Sequence, residues 1–264
     1  MYHRFKWTQV SRRRNWISRE YEPLQPYYLQ ELARAVYATT FVDVGANIGL
    51  YSVFMSQTVS EVIAYEANDA LATEVTDNFS INSINGTVRR VAVSNQTGTV
   101  NFGIVSRYAG NSAVVEEDTK SDDYGTVDSV EAVRLDDELA TLLGPIAFKI
   151  DVEGHEMSVL EGSAEIFSKQ QCVIQIENFD GAVDAFLSDL NFRKLTSIGP
   201  DAYFTNIKDV EPLDIYEKAA SALIEANHEH KTMILSRGDI GLVISGKVYA
   251  FVRKIALKVM GRSL

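Results

Sequence analysis

The stretch "FKIDVEGHEMSVLEG", residues 148–162, places Asp151, Glu153 and His155 two residues apart behind a short apolar run. Carboxylates and an imidazole at a strand end suit acid–base chemistry: they can take a proton from a hydroxyl or hold a hard cation. Asp151 and His155 are the catalytic candidates. An imidazole at a helix start is held neutral by the positive helix end and can then act as a base. The plain alternative is that His155 and Glu156 only begin a helix. A second stretch, "CVIQIEN" (172–178), closes a strand with Glu177 and Asn178. Beside Asp151 these would form an oxygen set for magnesium, a rival route to activating a hydroxyl. Lys149 is expected to face a helix-covered side or pair with an acid. Asp136 and Asp137 are expected to cap a helix. His228 and His230, with no cysteine near them, suit a solvated helix end better than zinc.

Something must sit opposite these acids, and "FVDVGANIGLYSVF" (41–54) is the other informative turn. It passes from a buried strand through Gly45 and Gly49 into a helix. Glycines there permit a sharp turn and the close approach of a ligand, and the helix start offers amide N–H groups to an anion. The dinucleotide pattern G-x-G-x-x-G does not fit, because positions 45, 47 and 50 are Gly, Asn and Leu. An acid-x-Gly-x-x-x-Gly turn led by Asp43 does. About 20 residues on, "YEAN" ends the next strand with Glu66, the placement of a ribose-binding carboxylate in nucleoside-binding α/β domains. Each feature alone has an ordinary structural reading; at this spacing they support each other.

The elements that must position these residues alternate along the chain. Strands are predicted at 40–46, 61–67, 88–94, 147–153 and 172–177. Between them lie helical stretches "IGLYSVFMSQTV", "DALATEVTDNFSIN" and "HEMSVLEGSAEIFSKQ". This predicts an α/β fold: a mostly parallel central sheet with helices on both faces. "TVNFGI" and "VEAVRLDDEL" interrupt the alternation around a polar loop at 106–128. After residue 180 a helix and two strands are expected to close the sheet as an antiparallel hairpin. The expected organisation is a basic N-terminal segment with a lead-in helix (1–39), a main domain (40–210) and a C-terminal helical extension (211–264).

Five motifs in order, "FVDVGANIGLYS", "VIAYEAN", "RRVAVSNQTGTVNF", "VRLDDEL" and "FKIDVEGHEMSVLEG", resemble the FkbM family of S-adenosylmethionine-dependent methyltransferases. The resemblance covers about residues 40–178. It implies a class I (Rossmann-like) methyltransferase fold, S-adenosylmethionine as cofactor, and commonly methylation of a sugar or other hydroxyl oxygen. It further implies that Asp43, Gly45, Ala46, Asn47 and Gly49 flank the methionine end of the cofactor. Glu66, with Ala67, would hold the ribose, and Ala92, Val93 and Ser94 would approach the adenine. Ala67 stands where the family more often has proline. The rivals are a methyltransferase-like binding module without turnover and a nucleotide-binding oxidoreductase.

Composition narrows the partners. The 264 residues carry a net charge of −11 with a single cysteine, Cys172, which excludes an internal disulfide framework and fits a reducing, cytoplasmic setting. No signal peptide or membrane-spanning run is visible. Residues 1–19 hold six Lys/Arg and no acid, and residues 247–264 hold five and no acid. The remainder is strongly acidic, which argues against nucleic acid as a partner; a small-molecule or glycan acceptor is what the family resemblance implies. In residues 246–262, Lys247, Lys254, Lys258 and Arg262 recur at helical spacing beside Val248, Phe251, Val252, Ile255 and Val259. Such a helix either packs on the protein or a second subunit, or lies peripherally on a membrane's inner face near a lipid-linked acceptor. Packing is the expectation. Vesicle co-sedimentation of the full chain and of one ending at Ser245 should then give equal, negligible binding; salt-sensitive binding by the full chain alone would contradict it.

Overall fold

The computed structural model describes residues 22, 24–104, 112–115, 126–177 and 181–237, with side chains as far as residue 226. The basic termini, residues 246–262 and Asn178 lie outside these, as do the side chains of His228 and His230.

The main sheet is built from β1 (Thr40–Val44), β2 (Glu61–Tyr65), β3 (Gly86–Arg89), β8 (Ile146–Ile150), β9 (Cys172–Glu177), β10 (Arg193–Ile198) and β11 (Asp201–Thr205). Their order is β10-β11-β9-β8-β1-β2-β3. The pairs among β3, β2, β1, β8 and β9 are parallel, and β11 runs antiparallel to both β9 and β10. The expected parallel sheet with a C-terminal antiparallel hairpin is therefore present. Strand order reverses between β1 and β8, and an open α/β sheet binds ligands at the carboxyl ends beside such a switch.

Helices α1 (Gln25–Ala35), α2 (Leu50–Met55), α3 (Asp69–Asn82) and α8 (Pro212–Arg237) supply one apolar layer, where Phe41, Ala147, Val173 and Tyr203 of the sheet are buried. Helices α5 (Glu156–Glu161), α6 (Ala164–Lys169) and α7 (Ala182–Asp189) cover the other face, over Val42, Phe148, Ile150, Ile174 and Ile176. Because both faces are covered, β1 and β8 are buried at every position, so their sequences read as continuous apolar runs broken only by Asp43 and Lys149. The start of α8 belongs to the core: Ile215, Tyr216, Ala219 and Leu223 pack in the same cluster as α1.

Three details differ from the sequence expectation. The strand foreseen at 88–94 is two strands. β3 stays in the main sheet, while β4 (Ala92–Val93) pairs in parallel with β7 (Thr126–Val133). With β5 (Gly98–Ile104) and β6 (Ala113–Val115) they form a second sheet, β4-β7-β5-β6, which accommodates the interrupting pair. The helix foreseen across 155–170 breaks at Gly162 and Ser163. There the chain lies so close to Ser94 that a Cβ on Gly162 would be 2.0 Å from the Ser94 carbonyl oxygen. Asp136 does act as a helix cap, but for α6 rather than for its own short helix α4 (Leu135–Glu138). Its Oδ1 accepts from the amide of Ile166 at 2.9 Å.

The turn after β1 has a specific steric cause. Gly45 has φ +79°, and a Cβ there would lie 1.9 Å from the backbone oxygen of Asp151. On the side where a Cβ would stand, what presses against Gly45 is thus the end of β8. Gly49 also has φ +79°, but its added Cβ would meet only Val75 Cγ1, at 3.2 Å. Gly45→Ala should therefore destabilise the fold by about 3 kcal/mol or more, and Gly49→Ala by only about 1–2 kcal/mol of backbone strain. Urea unfolding of both variants checks this; equal losses would contradict it.

Candidate active site

The glycine turn hangs from β2. The amides of Gly45 and Ala46 both donate to the Tyr65 carbonyl at 3.0 Å, which leaves the next amide, Asn47, pointing at Glu66. Asn47 adopts φ +55°, a left-handed conformation that Asn tolerates better than most residues. Its N–H donates to Glu66 Oε2 at 2.7 Å, and the amide of Asn68 donates to Glu66 Oε1 at 2.8 Å. Asn68 also caps α3: its Oδ1 accepts from Ala70 and Leu71. Glu66 is 6% exposed. Burial pushes its pKa up to about 7 against the pull of the two amides, with Asp43 and Asp151 adding repulsion. One lone pair on each oxygen is used by an amide, and each oxygen retains another for a neighbouring pair of hydroxyls.

Asp43 lies one step inside β1 and is 1% exposed. Its Oδ2 accepts from the Ser52 amide at 3.0 Å and the Ser52 hydroxyl at 2.6 Å, tying β1 to α2. Its Oδ1 is buried with no hydrogen-bond partner among the described residues. Burial raises the Asp43 pKa, and Lys149 opposes that rise.

Lys149 is Asp43's register partner on β8. Its ammonium bonds Asp151 Oδ2 at 2.7 Å and sits 4.7 Å from the centre of the Tyr51 ring. Burial alone would lower its pKa, but the charges of Asp151, Asp43 and Glu22 outweigh burial and hold it above the usual lysine range. The expectation that Lys149 pairs with an acid holds. The network continues through residues that the sequence did not single out. Gln175, the register partner of Lys149 on β9, donates to Tyr51 Oη and to Asp201 Oδ1, both at 3.0 Å. The Tyr51 hydroxyl in turn donates to Glu22 Oε2 at 2.6 Å. Asp201 Oδ2 and Gln175 Oε1 have no partner among the described residues.

At the carboxyl edge the strand register sets Asp151 next to Glu177, and Glu177 is paired with Asp201. Glu177 is partly buried. Burial, then the carboxylates of Asp151, Glu153, Asp201 and Glu156, push its pKa up to about 8. Among the described residues no group of three or more His, Cys, Asp or Glu side chains is placed to hold a metal. The cation on Asp151 is the ammonium of Lys149. Neither a strand-edge charge pattern nor a motif spacing had pointed to Glu22, Ser52, Tyr51, Gln175 or Asp201; cross-strand register places Gln175 and Asp201, and side-chain hydrogen bonds bring in Ser52, Tyr51 and Glu22.

His155 is turned elsewhere. Its Nε2 lies 2.9 Å from the Ser94 hydroxyl oxygen, on the side of the second sheet. Its pKa is lowered, as expected, but burial is the first cause and Glu161 opposes it. Glu156 shapes the intervening loop by accepting from the amides of Val152 and Gly154 at 3.3 and 3.2 Å. Ala92, Val93 and Ser94 are buried, with the Ser94 amide donating to the Val133 carbonyl. Arg89, three residues earlier, is what meets Glu66: its carbonyl accepts from the Glu66 amide. Ala67 is partly buried between Glu66 and the cap of α3.

The parallel sheet, its strand order and the acid-glycine turn are those of a class I methyltransferase fold. The chain belongs to the FkbM methyltransferase family: the profile of the methyltransferase FkbM domain matches residues 43–194. No curated protein sequence matches the chain. Among solved structures it is similar to a methyltransferase FkbM from Methylobacillus flagellatus, at 15% identity and TM-score 0.43, over 64% of this chain and 43% of that one. The matched part is thus less than half of that relative's length. It is also similar to an S-adenosylmethionine-dependent methyltransferase from Aquifex aeolicus, at 13% identity and TM-score 0.43, over 76% of this chain and 100% of that one. A precorrin-6Y C5,15-methyltransferase from Geobacter metallireducens is similar at 12% identity and TM-score 0.42, over 76% and 92% of the two chains.

Removing the ammonium while leaving its acids behind should be costly. Lys149→Met is expected to lose about 3 kcal/mol of stability, the usual size for a broken buried pair. A double-mutant cycle with Asp151→Asn should show coupling of about 1 kcal/mol or more. Additive losses in urea unfolding would contradict the pairing.

Proposed function

We propose that this chain is an S-adenosylmethionine-dependent methyltransferase that methylates an oxygen, a hydroxyl of a saccharide or glycan precursor. The observation that carries the cofactor half is Glu66, a buried carboxylate pinned by the amides of Asn47 and Asn68 at the end of the second strand. Glu66 would accept from the two ribose hydroxyls, with Ala67 beside it. Asp43 Oδ1, buried and without a partner among the described residues, suits the amino group of the methionine end. Gly45, Ala46, Asn47 and Gly49 would line that end. Ala92, Val93 and Ser94, which follow the Arg89 contact with the Glu66 amide, would approach the adenine.

Bound there, S-adenosylmethionine supplies a methyl group already activated by a sulfonium. The chain's own work is to orient a nucleophile and accept its proton. Asp151, at the switch point and bonded by Lys149, would orient an acceptor hydroxyl. His155, bonded toward Ser94, is the weaker candidate for that proton. An uncharged hydroxyl acceptor fits an acid-lined strand edge better than a phosphorylated one does, since added anions would be repelled. Cys172 is a free, buried thiol, in keeping with a reducing compartment. Among the described residues no helix is long and apolar enough to cross a membrane.

Transfer of labelled methyl from S-adenosylmethionine to a panel of glycans, with mass detection of the product, tests the acceptor class. Calorimetry with S-adenosylhomocysteine tests the cofactor site. Glu66→Gln should weaken binding by about 1.5–3 kcal/mol. In the wild type the carboxylate is protonated below a pKa of about 7 and then no longer accepts from both hydroxyls. Affinity should therefore fall about tenfold from pH 8 to pH 6, and the Glu66→Gln variant should lack that slope. A variant that binds as tightly as wild type removes Glu66 from the site.

A further inference from the structure

The edge acids can be sorted by what already holds them. Asp151 Oδ2 carries the Lys149 ammonium at 2.7 Å. Asp201 is 2% exposed, and its Oδ1 is bonded by Gln175. Glu22 accepts the Tyr51 hydroxyl. Glu156 holds the two loop amides, and Glu153 stands exposed on that loop. His155 is bonded at Ser94. Glu177 remains: it is partly open to solvent, and its carboxylate makes no hydrogen bond among the described residues. It stands one strand beyond Asp151, about 5 Å by sheet geometry. Asp151 in turn touches the glycine turn, its carbonyl lying against Gly45.

We propose that Glu177 faces the transferring methyl group and is the general base of the reaction. The proposal rests on the methyltransferase reading above. As the acceptor oxygen forms its bond to the methyl carbon, the carbon–sulfur bond breaks and its electron pair stays on sulfur as a neutral thioether. The acceptor proton goes to the Glu177 carboxylate and from there to water. A base must be able to accept a proton near the working pH, and the push up to about 8 suits that task. Burial is the first cause of that push, and the charges that add to it are Asp151 beyond β8, Glu153 and Glu156 on the following loop and helix, and Asp201 on β11.

A carboxylate facing the methyl group must also favour a cation there over a neutral sulfur. Sinefungin, which carries an ammonium in place of the sulfonium, and S-adenosylhomocysteine, which is neutral at that atom, read this without any acceptor. At pH 9 the wild-type chain should bind sinefungin relatively more tightly than does Glu177→Gln. The affinity ratio of sinefungin to S-adenosylhomocysteine should drop about tenfold in Glu177→Gln, while its affinity for S-adenosylhomocysteine stays at the wild-type value. Glu153→Gln, a charge loss on the exposed loop, should leave the ratio within twofold. An unchanged ratio in Glu177→Gln, or an equal drop in Glu153→Gln, would overturn the assignment of Glu177. Failure of the wild type to bind either ligand would instead overturn the methyltransferase reading itself.

Discussion

A single buried ammonium makes the acidic centre of this sheet tolerable. Asp43 and Lys149 are buried register partners on adjacent central strands, and the partly exposed Asp151 follows Lys149 two residues on. Carboxylates in such a position are costly unless paired and hydrogen-bonded. Lys149 pairs with Asp151, Ser52 bonds Asp43, and Tyr51 covers the ammonium with its ring. The glycine turn and the β8 end are thereby fixed against each other across the switch point. The two halves of the candidate site, Glu66 on one side and the Asp151–Glu177–Asp201 edge on the other, inherit their separation from that contact.

The same constraint explains why the turn is built as it is. Gly45 must lack a Cβ because the Asp151 carbonyl lies where one would be. The turn it permits leaves the Asn47 amide aimed at Glu66 rather than into a helix. Fold packing and ligand preparation are therefore one arrangement: the close approach of two strands orients the donor that pins the carboxylate. Burial raises the Glu66 pKa to about 7, so this carboxylate changes charge near neutral pH, as an exposed acid would not.

Much of this was legible in the sequence, for reasons that can be stated residue by residue. The buried strands read as apolar runs because both faces of the sheet are covered. "DALATEVTDNFSIN" is the helix Asp69–Asn82 as foreseen, started by the Asn68 cap. Asp43, Glu66 and Asp151 stand at strand ends, where spacing along the chain predicts them. Contacts set by cross-strand register were not legible. Nothing in "CVIQIE" says that Gln175 lies beside Lys149, or that Glu177 lies between Asp151 and Asp201. The split of residues 88–94 between two sheets was hidden too, since it shows only in the partners, β2 for β3 and β7 for β4. His155 was a candidate base because it begins a helix just behind Asp151; that its Nε2 lies 2.9 Å from the Ser94 hydroxyl, some 60 residues away in the chain, could not be read from spacing.

The central claim is that Glu66 and Asp43 are the anchors of a nucleoside-bearing methyl donor on this turn. A crystal structure of the chain with S-adenosylhomocysteine tests it most directly. The account predicts both ribose hydroxyls within hydrogen-bond distance of the Glu66 carboxylate and the amino group of the methionine end at Asp43 Oδ1. A ligand bound elsewhere, or one whose ribose leaves Glu66 bonded only to Asn47 and Asn68, would contradict it.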